Sequence, residues 1–286
     1  MVVELLPSAV DGLLVGVIYG LAAMGLSLIF GVMRVVNLAH GPLIALGMFG
    51  VHSLFTGLGV NPFLALVPVG ALGFLAGLVL YFAAVHPVRN APHLSSLLST
   101  FAVNMILVGV GTSLFTTNFR NVDYSLGKVE LGTLSIPGTR LAAAGIAVLV
   151  AAGLHAFLAF SRPGKYVRAV AGDREAAELV GIPSTRVLAA SFGLGTSLAA
   201  VAGGLVAILF PFTILSGGTY ELKSFVIVVL GGLGNPLGAL AGGLILGLVE
   251  GIVPFYLGTG WVPVIEFGLF VALLLVRPQG LFGGKR

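Results

Sequence analysis

Eight of the chain's charged residues fall in one stretch of 26, 161-SRPGKYVRAVAGDREAAELVGIPSTR-186. They are Arg162, Lys165, Arg168, Asp173, Arg174, Glu175, Glu178 and Arg186. The sequence around them is apolar enough to live in lipid. A charge at the centre of a bilayer costs about 2.5–3.5 kcal/mol, so eight together would cost on the order of 20 kcal/mol. The stretch must therefore lie outside the membrane. Five of the eight are Lys or Arg, which places it on the cytoplasmic side.

The whole chain is 58% hydrophobic and 8% charged, against about 25% charged in soluble domains. Several apolar runs reach the ~20 residues that span a bilayer, and none alternates with the period of two that marks a barrel strand. These features predict an all-α polytopic membrane protein, a single transmembrane domain over residues 1–286 with about 8–10 spanning helices. Some of those helices are short or broken. The start, MVVELLPSAVDG, lacks the basic region of a cleavable signal peptide, so the first span is expected to act as a signal anchor. Without cysteine, disulfides and thiolate metal sites are excluded. The net charge of +4 comes from short loops. It reflects topology and argues against a nucleic-acid partner.

Hydropathy places spans near 10–33, 41–57, 62–86, 94–117, 141–160, 187–210, 222–234, 236–254 and 261–277. Arg34, Arg89, the charged stretch and the tail residues Arg277, Lys285 and Arg286 belong inside by the positive-inside rule, leaving 118–140 outside. The stretch 224–253 has one charge, Glu250. As a single straight helix it would be about 45 Å long, too long for a ~30 Å core without a large tilt. Gly-Asn-Pro at 234–236 is a turn signal that divides it in two. That gives the even number of crossings needed between the charged stretch and the tail. A re-entrant hairpin is the competing description.

Glycine makes up 43 of the 286 residues. Many recur four apart inside the apolar runs: Gly12, Gly16 and Gly20; Ser191, Gly195, Ala199, Gly203 and Ala207; Gly234, Gly238 and Gly242, beside Gly243, Gly247 and Gly251. Such ridges let helix backbones pack closely in lipid, either within this chain or against another subunit.

Within the charged stretch, Asp173 is a good N-cap, Glu175 suits the first turn, and Gly181 followed by Pro183 stops a helix of about 174–180. Two turns are marginal in isolation. Ala176, Ala177 and Val180 are expected to share a small apolar face bordered by charge. That face suits docking on a partner, against the plainer reading of a solvated loop.

A few polar residues stand in or near the spans. Asn37 and His40 fall where the first two spans join, just before Gly41 and Pro42. A helix break there is tolerated in lipid only inside protein or beside water, and broken helices line many transport pathways. The alternative is an ordinary cytoplasmic turn capped by Asn37. Thr100, Asn104 and Glu250 either hydrogen-bond between helices or line a pathway. Glu221 and Lys223 are read as anchors at a span end. No second ligand at suitable spacing makes His40 a metal site, and nothing calls for a cofactor.

The pattern G-x-x-x-R-A-V-x-x-D-x-E-A-A-x-L-x-G-I, starting at Gly164, resembles the cytoplasmic coupling loop of ABC importer permeases. Three further stretches, 30-FGVMRVVNLAHGPLIALGMF-49, 222-LKSFVIVVLGGLGNPLGALAGGLILGLVE-250 and 277-RPQGLFG-283, resemble the LivH type of branched-chain amino acid permease in the same order. Pro42 departs from the acidic residue that many relatives carry there. The resemblance implies a non-catalytic pore subunit in the bacterial inner membrane, importing branched-chain or related small amino acids. It implies a LivM-type second permease, two ABC ATPase subunits and an extracytoplasmic substrate-binding protein as partners. It also assigns Asp173, Glu175, Ala176, Ala177, Glu178 and Gly181 to ATPase coupling. No phosphate-binding loop occurs in the chain, and 215-LSGGT-219 imitates an ATPase signature by chance. A urea or sugar permease of like architecture is the nearest alternative. A self-sufficient secondary transporter or channel is a more distant one, because few intramembrane charges are available for ion coupling.

Overall fold

A computed structural model describes residues 2–131 and 134–283; Lys285 and Arg286 lie outside the described residues. Eleven α-helices make up the described fold: α1 (Val2–Met33), α2 (His40–Leu58), α3 (Pro62–Leu80), α4 (His93–Phe115), α5 (Gly138–Phe160), α6 (Arg162–Gly172), α7 (Arg174–Leu179), α8 (Ser184–Leu209), α9 (Ser216–Gly231), α10 (Pro236–Leu257) and α11 (Val262–Val276). A two-stranded antiparallel hairpin, β1 (Lys128–Leu131) and β2 (Leu134–Pro137), lies between α4 and α5, with Val129 opposite Ile136. Among the described residues, eight helical segments are long and apolar enough to cross a membrane.

Contacts sort the connections to two ends. At one end, Gly31 abuts Gly234, Leu281 N–H donates to Leu230 O at 2.9 Å, and Arg89 Nη1 donates to Thr185 Oγ1 at 3.1 Å. At the other, Asp11 pairs with Arg140, Asn61 donates to the Tyr124 hydroxyl at 2.9 Å, and Arg120 forms a backbone bridge with Phe212. This is the sidedness that the charges predict.

The division of 222–254 is present, with different bounds. Gly232 and Gly234 take the positive φ that the tight turn requires. Asn235 then caps α10 by accepting from Gly238 N–H at 3.1 Å, with Pro236 in its first turn. The preceding helix begins at Ser216, six residues earlier than hydropathy places it. The charged stretch also holds more structure than expected. Its first half is helix α6, capped by Ser161 and amphipathic, with Val167 and Val170 buried.

The centre of the bundle is packed by small residues. Gly12, Gly16 and Gly20 on α1 face Gly243, Gly247 and Gly251 on α10. Gly195 of α8 meets Gly25, and Gly203 meets the backbone of Ile44. The glycine ridges therefore serve contacts within this chain. A Cβ on Gly16 would come 2.6 Å from Gly243 O and 3.0 Å from Gly247 Cα. By contrast, a Cβ on Gly153 of α5 meets nothing within 4 Å. Gly16→Leu is therefore expected to destabilise the chain by about 1–3 kcal/mol, the usual cost of overpacking, whereas Gly153→Leu leaves stability unchanged. Reversible unfolding of the two variants in nanodiscs measures the contrast, and equal stability would contradict the seam.

Candidate functional site: a polar centre where two short helices meet

Most of the residues marked out by sequence converge near the middle of the bundle, and the reason is a reversal of the chain after α1. His40 Nε2 lies 3.0 Å from Ala22 O. Ala22 is eleven residues before the end of α1, about 16 Å back along the helix. The six residues 34–39 could reach about 20 Å if extended, so this short connection runs back toward the middle of α1 before turning at 37–40, where His40 N–H donates to Asn37 O at 3.3 Å. Arg34 makes the reversal with φ of 55°. Asn37 and His40 are fully buried as a result.

An extended segment in lipid has no helical partners for its backbone, so side chains must supply them. Asn37 Oδ1 accepts from Ala39 N–H at 3.1 Å. Thr100 Oγ1 on α4 lies 3.3 Å from both Leu38 N and Val36 O. Asn104, one turn further along α4, donates through Nδ2 to Leu38 O at 2.5 Å. Thr100 and Asn104 are thus brought to the same segment as Asn37 and His40.

A fifth group comes from α9. Asn104 Nδ2 is 3.4 Å from Glu221 Oε2, and Gly41 N–H also donates to this carboxylate. A Cβ at Gly41 would stand 2.5 Å from Glu221 Oε2 and 2.7 Å from Gly217 O. Only glycine lets the first turns of α2 and α9 come this close. Glu221 is 7% exposed and is no span-end anchor. The hydropathy window starts at 222 because Ser216, Tyr220 and Glu221 lower its mean, which hides the true start of the helix.

The start of α9 is itself below the surface. Phe212 packs against Phe49 on α2, whereas Gly217 packs against Gly41. Those two α2 positions are eight residues, about 12 Å, apart along the helix. Residues 210–215 therefore re-enter from the external end, as 34–39 re-enter from the cytoplasmic end. The two short helices start deep and meet at their N-terminal turns, where the positive ends of their dipoles lie. The LSGGT string at 215–219 is the opening of α9 and belongs to this packing.

Glu250 is elsewhere. It pairs with Lys223 between α9 and α10, with Glu266 of α11 nearby. Lys223 is half-buried in this ion cluster, which a reading of single spans misses because its members come from three separate spans. Among the described residues no group of three His, Cys, Asp or Glu is placed to hold a metal ion.

The short helix of the charged stretch forms as expected. Asp173 Oδ1 accepts from Ala176 N–H at 3.0 Å, Arg174 donates to Glu178 at 3.0 Å, and Gly181 closes the helix with φ of 84°. Glu178 also accepts from Ser184 at the start of α8. The Ser184 hydroxyl and then the Arg174 guanidinium hold its carboxyl below the usual carboxylate range. One residue is misplaced by the sequence reading: Ala177 is buried in the chain's own core, since its face packs inward on the bundle. The outward apolar residues are Leu179 at 89% and Val180 at 76% exposure, beside exposed Ala176.

Residues 8–276 match the family model described as the branched-chain amino acid transport system / permease component. The chain is 30% identical to the high-affinity branched-chain amino acid transport system permease protein LivH of Salmonella typhimurium, over 96% of this chain and 94% of that protein. It is also 30% identical to BraD of Pseudomonas aeruginosa, over 97% and 95% respectively. LivH of Methanocaldococcus jannaschii, named as a probable permease of the same transport, is 29% identical over 92% of this chain and 88% of that protein. Among solved structures, PsaBC from Streptococcus pneumoniae in complex with Fab aligns with a TM-score of 0.50 at 14% identity, over 94% of this chain and 91% of that one. That likeness concerns the fold alone.

If Asn104 holds the re-entrant segment in place, Asn104→Leu leaves the Leu38 carbonyl buried without a donor. The expected loss is about 1–3 kcal/mol, and Asn104→Gln restores part of it. Unfolding of the purified chain in nanodiscs measures this. A leucine variant as stable as the parent would show that the carbonyl has another partner.

Proposed function

Because the chain belongs to the branched-chain amino acid transport permease family, a multi-pass protein of the inner membrane, we propose that the buried meeting point of α2, α4 and α9 lies on the route its substrate takes. The observation that carries this reading is the re-entrant segment 34–39, whose backbone is held by Thr100 and Asn104 and faces Glu221. Deep helix starts of this kind bind charged groups of small solutes in transporters built from discontinuous helices. Gly41, Ala45 and Gly217, packed beside this centre, are small and apolar, which suits a zwitterion with an aliphatic side chain. Asn37, His40, Thr100, Asn104 and Glu221 are the residues proposed for the pathway. Glu250, in its own ion pair, is left out.

In this reading residues 1–286 act as one permease domain, paired with a LivM-type second permease. An extracytoplasmic binding protein delivers the substrate. The pore itself is non-catalytic, and ATP is hydrolysed by two partner ATPase subunits. Helix α7 is their docking element: Asp173, Glu175, Glu178 and Gly181 shape it, and Ala176, Leu179 and Val180 offer the apolar contact. Adjacent large apolar side chains this exposed on a charged cytoplasmic element are what an interface requires. Ala177 supports the helix from beneath.

Reconstitution of the complete transporter in liposomes tests both parts. ATP-dependent uptake of leucine, isoleucine or valine is expected, with no uptake of ribose or urea; transport of ribose or urea without leucine would overturn the substrate assignment. Uptake that follows an ion gradient without ATP would instead favour a self-sufficient carrier. Leu179→Glu is expected to lower both ATPase co-purification and transport at least tenfold while the permease stays folded. Full transport by that variant would remove α7 from the docking role.

A further inference from the structure

A second set of charges lies within the apolar part of the molecule, apart from the polar centre. Lys223 on α9 pairs with Glu250 on α10, and its Nζ is 3.9 Å from Glu266 Oε1 on α11. The same Nζ stands 4.8 Å from the ring centroid of Tyr19. One cation is thus shared between two carboxylates. Glu266 is only 4% exposed, and its Oε1 has no hydrogen-bond partner.

Lys223, Glu250 and Glu266 line one cavity of about 410 Å³ between α9, α10 and α11. Its other walls are mostly apolar, formed by Leu222, Val226, Val262 and Phe267, with the hydroxyls of Thr219 and Thr259 at hand. A buried carboxylate oxygen without a donor is costly, and with one Lys223 shared between two carboxylates a second cationic donor would complete the cluster. A metal ion fits poorly, because it needs several oxygen ligands and Lys223 already occupies one side of the carboxylates. An ammonium group fits well. It brings three donors, one for Glu266 and others for the threonine hydroxyls, and any hydrocarbon attached to it meets the apolar walls.

We infer that this cavity binds a primary ammonium group carried on a short apolar body, with Glu266 as its acceptor. Two sources have that chemistry: a free aliphatic amino acid, whose carboxylate would face Lys223, and an ethanolamine phospholipid. None of the residues involved belongs to the polar centre around Asn104, so this inference and the transport reading stand or fall separately. The occupant also bridges α11, most of whose surface is exposed, to α9 and α10.

The full-length chain in phosphatidylglycerol nanodiscs allows a direct test by thermal unfolding. Three ligands are titrated: 3-methylbutylamine, leucine, and 4-methylpentanoate, which is leucine without its amine. The amine is expected to raise the midpoint and 4-methylpentanoate to leave it unchanged. Glu266→Gln is expected to weaken amine binding at least tenfold. Val262→Trp fills the cavity from its wall while keeping all three charges, and is expected to weaken binding as much; it serves also if Glu266→Gln does not fold. Stabilisation by leucine assigns the site to an amino acid. Stabilisation on replacing phosphatidylglycerol with phosphatidylethanolamine, abolished by Val262→Trp, assigns it to lipid. If neither an amine nor phosphatidylethanolamine stabilises the parent, the proposal fails. It fails equally if the amine-free acid works as well, or if the variants that fold bind undiminished.

Discussion

A peptide group in a bilayer must find its hydrogen bond inside the protein, and the architecture follows from how this chain meets that demand where it stops being helical. Between Met33 and His40 the backbone travels back toward the bundle centre outside any helix, and again between Leu209 and Ser216. Each excursion is affordable only beside side chains or strands that complete it. Thr100 and Asn104 serve the first, and the backbone bridge from Arg120 to Phe212 anchors the second at its outer end. Because α4 supplies both polar side chains for the first excursion, its place in the bundle depends more on these hydrogen bonds than on apolar burial. Much of its surface, including Leu98, Phe101 and Met105, is exposed.

Close packing is the second half of the same solution. Lipid gives apolar helices little reason to associate, so contact area and short backbone distances must do it. The α1–α10 seam is almost entirely glycine on both sides, and α8 sits against α1, α2 and α3 through small residues. With the large helices locked by these seams, the short ones can start in the interior without collapsing it. At Gly41 and Gly217 the same device brings two helix starts together around one carboxylate, Glu221. A β-carbon at either glycine would push the helices apart.

Sequence reading succeeded where a residue's type alone carries the physics. The charged stretch cannot enter lipid, so the topology was legible. Asp173 and Gly181 are cap residues, so α7 was legible to within a residue. Gly-Asn-Pro marked the division between α9 and α10. Asn37 and His40 drew notice because polar groups before Gly-Pro at a span end are out of place. What could not be read was depth. A hydropathy window records how apolar a run is, not where in the membrane it starts, so it begins α9 late and puts Glu221 and Lys223 at a span end. The inward face of α7 failed for a related reason: with six residues, a helix offers too little periodicity to tell Ala176 from Ala177.

Depth also separates the two groups of intramembrane charge and gives them different characters. Glu221 has donors in Asn104 and Gly41 and forms no ion pair among the described residues. The Lys223 cluster has the opposite arrangement, with a cation shared between two carboxylates and one oxygen left without a donor. Both groups include residues of α9, Glu221 and Lys223, two positions apart and therefore on different sides of that helix. A movement of α9 along its axis would disturb both sets of contacts at once. A short helix that starts in the interior, tied on one side to the re-entrant segment and on the other to α10 and α11, is thereby a physical link between the centre of the bundle and its outer helices.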